Sequence, residues 1–127
     1  MQNLFAVFIG GGIGAVLRYL TGICVLRYFA GTGVNFPVAT FAVNIAGCFL
    51  LGFLYAFFVD RPEINTSLKL ALGAGFCGGL TTFSTFSLEL FKMFENAQYG
   101  MFLTYFMFSI IVGFAAVWIG VSFAKVF

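Results

Sequence analysis

The sequence predicts an all-α membrane protein with four transmembrane helices, the third of them broken, forming one domain over residues 1–127 and pairing as an antiparallel, dual-topology homodimer. Three observations predict this. Of 127 residues, 62% are hydrophobic and only 8% charged, whereas a soluble domain carries about a quarter charged residues. No charged residue lies between Arg27 and Asp60 or between Glu95 and Lys125, and each gap exceeds the roughly 20 residues that cross the hydrocarbon. With four spans, one side of the membrane carries Arg61, Lys69 and Lys125 and the other Arg27 and Lys92. Three against two gives almost no orienting bias, so the chain is expected to insert both ways round and to pair head to tail.

The first span is expected over residues 4–29, with Arg18 inside it. Its start lacks the basic region and small-residue cleavage site of a secretory signal, so it is read as retained. A linker at residues 31–37 ends in Pro37, which suits the opening turn of the second helix. The second linker covers residues 60–65, the third span residues 67–94 with an uncharged centre at 70–88, and the last linker residues 95–98. No linker is long enough to hold an enzyme site. Sixteen glycines fall mostly within the spans, including the pairs Gly10/Gly14 and Gly75/Gly79. Small residues at this spacing let helix backbones approach closely. Gly10, Gly12 and Ala15 also fit a dinucleotide fingerprint, but no strand precedes them and no acidic residue follows at the required distance.

Polar groups in hydrocarbon are costly, so each is a candidate site. Asn44 lies four residues after Thr40 and three before Gly47, placing all three on one helical face. In the third span, Gly78 and Gly79 precede five hydroxyl residues, Thr81, Thr82, Ser84, Thr85 and Ser87. Glycine is a poor helix former and hydroxyls compete for backbone groups, so a break is expected at residues 78–81. Backbone freed in mid-membrane is tolerated where it binds an ion or lines a wet cavity. Phe83 and Phe86 share a face beside Thr82 and Ser84, and a ring presents a positive edge that can meet an anion. Counting 1.5 Å per residue, Asn44 and Tyr105 lie about 10 Å and Ser109 about 16 Å from the same boundary. Arg18, about 21 Å into its span, faces either a vestibule or the interface, and Glu89 is either an entrance residue or an ordinary interfacial carboxylate.

Three stretches carry a family resemblance: residues 10–19 (GGGIGAVLRY), residues 44–47 (NIAG) and residues 75–87 (GFCGGLTTFSTFS). In order, spacing and total length the chain resembles the CrcB/Fluc fluoride channels of bacteria. The resemblance implies a dual-topology homodimer in the bacterial inner membrane, with two antiparallel pores that passively export fluoride. It implies a structural sodium ion on the backbone carbonyls of Gly78 and Thr81. The anion pathway it implies uses Asn44, Phe83, Phe86, Tyr105 and Ser109, with Thr82 and Ser84 beside the rings and Arg18 and Glu89 at vestibule positions. Gly113, one turn beyond Ser109, stands where a further polar residue would extend the track.

Other classes fit less well. A small proton-coupled multidrug exporter also has four spans, but it needs a membrane-embedded carboxylate in its first span, and no Asp or Glu precedes Asp60. A purely structural subunit explains the glycines but not the clustered hydroxyls. Without histidine, and with Cys24, Cys48 and Cys77 scattered singly, neither a histidine metal site nor a Cys-x-x-Cys pair can be drawn. An enzyme nucleophile with a basic partner is equally hard to assemble. Nucleic-acid binding needs clustered Lys and Arg, which a net charge of +2 spread along the chain does not provide.

Overall fold

The computed structural model describes residues 1–127, and nearly all of them are helical. Helix α1 covers Gln2–Tyr28 and α2 covers Val38–Val59. Helix α3 is a composite over residues 66–80, with an α turn at Thr66–Leu70, a π-helical stretch at Ala71–Cys77 and a last α turn at Gly78–Leu80. Helix α4 covers Phe83–Glu95 and α5 covers Tyr99–Ala124. Pro37 stands at the N-cap of α2, as its fixed φ favours.

Helices α1, α2 and α5 are each long and apolar enough to cross a membrane. Helices α3 and α4 are about 22 Å and about 20 Å long, each short of the roughly 30 Å of hydrocarbon. Thr81 and Thr82 separate them, with ψ of 158° at Thr81 and φ of −151° at Thr82. The interruption therefore begins at Thr81, later than the glycines suggest. Gly78 keeps helical angles of −65° and −36°, although it faces open space with nothing within 4 Å of a Cβ built there. The π stretch was not anticipated; its Gly73, Ala74 and Gly75 are small residues that lower the cost of leaving α geometry.

Two helix pairs make up the fold: α1 packs along α3, and α2 along α5. Both contacts run backbone to backbone. A Cβ on Gly10 would strike the Ala71 carbonyl, and one on Gly79 the Gly11 carbonyl. Across the second pair, a Cβ on Gly52 would strike the Val117 carbonyl and one on Gly120 the Phe49 carbonyl. The Gly10/Gly14 and Gly75/Gly79 pairs are thus helix contacts, as their spacing predicts. A smaller apolar cluster of Phe86, Leu90, Met93 and Tyr105 joins α4 to α5.

Only 19 of 127 residues are buried, and the accessible surface is 8279 Å². A soluble monomer of this mass would expose about 6,600 Å². Leu, Ile, Phe and Val side chains dominate the excess, so lipid or another protein must cover it.

Candidate ion pathway

The interruption between α3 and α4 is held by side chains from two other helices. The Asn44 amide pairs with both backbone groups of Thr82: the Thr82 N–H donates to Asn44 Oδ1 at 2.8 Å, and Asn44 Nδ2 donates to the Thr82 carbonyl at 3.1 Å. From α1, Arg18 Nη1 donates to the Thr81 carbonyl at 3.0 Å. Thr81 Oγ1 donates back to the Cys77 carbonyl, and Thr82 Oγ1 caps α4 by accepting from the Thr85 N–H at 3.2 Å. Extended backbone in hydrocarbon would otherwise leave each of these groups at a cost of several kcal/mol. Arg18 does not snorkel to the interface; its head is spent on the chain interruption.

Diverting the Thr82 amide to Asn44 leaves the Gly78 carbonyl without the donor that a continuous helix would supply, whereas the Thr81 amide keeps its helical bond to the Cys77 carbonyl. The α3 end thus offers carbonyl oxygen, while the amides of Phe83 and Ser84 begin α4. Negative oxygens and positive amide hydrogens point outward from the same short segment.

Seven of the eleven residues singled out in the sequence line one open groove of 610 Å³ between α2, α3, α4 and α5: Asn44, Gly78, Thr81, Thr82, Phe83, Phe86 and Ser109. Gly47 forms part of the wall because a Cβ there would strike the Thr81 side chain. The two rings differ sharply in exposure. Phe83 is 81% exposed whereas Phe86 is 7% exposed, with ring centroids 6.1 Å apart. Phe86 stands edge-on to Tyr105 at 5.0 Å. Ser109 Oγ is buried without any hydrogen-bond partner, an arrangement that native proteins rarely keep unless something else supplies the partner.

Tyr105 is fully buried, and its hydroxyl donates to Glu89 Oε2 at 2.8 Å. Thr40 Oγ1 donates to Glu89 Oε1 at 2.7 Å. Glu89 therefore joins α2, α4 and α5 instead of standing free at an interface. Ser84 lies 3.4 Å from Thr82 Oγ1. Arg18 lines a separate cavity of 320 Å³ on the α1 side, shared with Tyr19, Thr40, Thr82 and Thr85. The sequence places Thr40 on the Asn44 face and Thr85 in the hydroxyl run but assigns neither a site role. Thr40 had a readable signal, since it precedes Asn44 by one turn on the same face; Thr85 became visible only through the cap it forms with Thr82.

These features define a class: a multi-pass helical membrane protein whose interrupted helix borders a groove lined by polar groups and aromatic rings. The family described as CrcB-like protein, Camphor Resistance (CrcB), matches residues 5–121, and the chain belongs to it. Among its relatives, the fluoride-specific ion channel FluC of Phocaeicola vulgatus is 46% identical over 121 residues, covering 95% of this chain and 97% of its own. The protein of the same name from Azotobacter vinelandii is 42% identical over 120 residues, 94% of each chain. That of Flavobacterium psychrophilum is 39% identical over 125 residues, 98% of each.

Proposed function

We propose that this chain is a fluoride channel, one transmembrane domain over residues 1–127 that passively exports fluoride across the bacterial inner membrane. In this reading α3 and α4 together make the third span, and two copies pair antiparallel to give two pores. The observation that carries it is the groove, in which Asn44, Thr82, Phe83, Phe86 and Ser109 lie together beside the interrupted helix. The open side of the groove and the excess apolar surface support a second copy as its cover.

Fluoride is small and strongly hydrated, so a pore must replace its water with close donors while binding weakly enough to let it leave. The unpartnered Ser109 hydroxyl, the remaining N–H of the Asn44 amide and the Ser84 hydroxyl supply neutral donors. The edges of Phe83 and Phe86 supply weak positive potential without a formal charge. Arg18 contributes its charge at a distance, through the Thr81 carbonyl. Tyr105 and Glu89 continue the polar track toward the α4–α5 end.

Main-chain carbonyls are the donors that hard monovalent cations take in interrupted membrane helices. The Gly78 carbonyl has lost its helical donor, and the Thr81 carbonyl keeps one lone pair beside its bond to Arg18. The pair therefore fits a sodium ion shared with a second copy. When bound, that ion would add positive potential midway along the path. The chemistry needs no enzyme site, and a proton-coupled exporter remains disfavoured because the first two spans hold no carboxylate. The experiment is anion efflux from liposomes holding the purified protein: fluoride is expected to leave far faster than chloride, and equal rates would overturn the reading.

A further inference from the structure

A third cavity, of 430 Å³, opens between the end of α1, the turn that follows it and the start of α2. Val25, Leu26, Phe29, Val34 and Phe36 wall it, and Glu89 is its one charged lining residue. Glu89 lies six residues before the end of α4, about 9 Å from the membrane boundary. The cleft is therefore apolar along its sides and negative at one point.

The two partners of this carboxylate are both neutral hydroxyls, Thr40 on one oxygen and Tyr105 on the other. Ionisable groups inside a membrane pair with a countercharge, and here neither partner supplies one. Each carboxylate oxygen already accepts one bond, and the walls around it are apolar. Such walls suit a cation whose charge is sheathed in alkyl groups. The rings of Phe29 and Phe36 line the same cleft, and Phe36 is held edge-on against Tyr105 at 5.2 Å and Phe41 at 5.5 Å. Aromatic faces attract quaternary ammonium ions. An inorganic cation would lose its water in this cleft and find few oxygens in return.

We propose that this cleft binds hydrophobic quaternary ammonium compounds, with Glu89 as counter-ion and Phe29 and Phe36 as the aromatic wall, and that occupancy slows fluoride flux. The effect on flux rests on the channel reading, through the Glu89–Tyr105 hydrogen bond; the binding does not.

The test titrates benzyltrimethylammonium onto the purified full-length protein, reading binding by ligand-observed NMR and, separately, fluoride efflux from liposomes. Saturable binding is expected, weakened at least about tenfold in Glu89→Gln, a loss of about 1.4 kcal/mol. Gly22 also lines the cleft, and Gly22→Leu should weaken binding similarly, since no atom lies within 4 Å of a Cβ built there. Should that variant fail to fold, Val34→Trp fills the mouth instead. Fluoride efflux should slow in proportion to occupancy and resist the ligand in the filled variant. The site is overturned by absence of saturable binding, as when a second copy covers the cleft, or by affinity unchanged in Glu89→Gln and the filled variants. Normal binding with undiminished efflux overturns the flux clause alone. No fluoride efflux from untreated protein counts against the channel reading and leaves the binding result standing.

Discussion

Asn44 shows how a single side chain can serve two roles. Its depth and its face are readable in the sequence, and both fit a pore residue. Its partner was not readable, because that partner is the backbone of Thr82, 38 positions away. One amide hydrogen and the oxygen hold the interruption, and in the proposed channel the other hydrogen serves the ion. Replacing Asn44 with Asp tests this division. A protonated carboxyl can reproduce both bonds to Thr82, whereas an ionised one repels the Thr82 carbonyl and any anion nearby. Fluoride efflux through Asn44→Asp should therefore be low at neutral pH and rise as pH falls, over a range where fluoride stays ionised and the parent protein changes little. Thermal stability of Asn44→Asp that does not rise along with protonation over the same pH range would remove the clamp. Glu89 teaches the same lesson: spacing left its role open, and its bonds to Thr40 and Tyr105 come from helices whose packing no local pattern encodes.

At the scale of elements, the helices and their linkers were legible because uncharged runs and Gly/Pro punctuation are local signals. The glycine pairs were legible for the same reason. Gly14 and Gly12 offer a direct contrast: a Cβ on Gly14 would strike the Phe76 carbonyl and the Leu80 amide, whereas nothing lies within 4 Å of one on Gly12. Gly14→Val should destabilise the protein in detergent by about 3 kcal/mol or more and Gly12→Val by less than about 1 kcal/mol, as read by thermal unfolding. The interruption falls at Thr81, the far end of the expected residues 78–81, because glycine count measures how easily a helix breaks, while Asn44, Arg18 and the Thr82 cap decide where. The turn after α4 carries a further strain. Ala97 has φ of 55°, a left-handed conformation that glycine adopts without the Cβ penalty of about 1–2 kcal/mol. Ala97→Gly should raise thermal stability by about 1 kcal/mol, and a loss of stability would show the turn to be unstrained.

On the scale of the whole molecule, two tightly packed helix pairs surround little core and leave one groove open. A single copy thus has its polar groups arranged but not enclosed, a condition that a second copy of opposite orientation would relieve. Composition and charge balance pointed to such a pair, since neither side of the membrane holds enough Lys and Arg to orient the chain. A tag on the C-terminus should be cleavable from both sides of the membrane in roughly equal shares; protection on one side would exclude dual topology. The identity of the ion was legible only through the third-span motif, because neutral donors and ring edges suit small anions in general without naming fluoride.

The central claim is that the groove beside the interrupted helix carries the ion. Fluoride efflux from liposomes containing Phe83→Ile or Phe86→Ile, with the oligomeric state measured on the same samples, tests it most directly. The account predicts efflux reduced at least about tenfold, a barrier increase of about 1.4 kcal/mol, with assembly unchanged. Efflux at the parent rate in both variants, or loss of efflux only where the assembly falls apart, would contradict it.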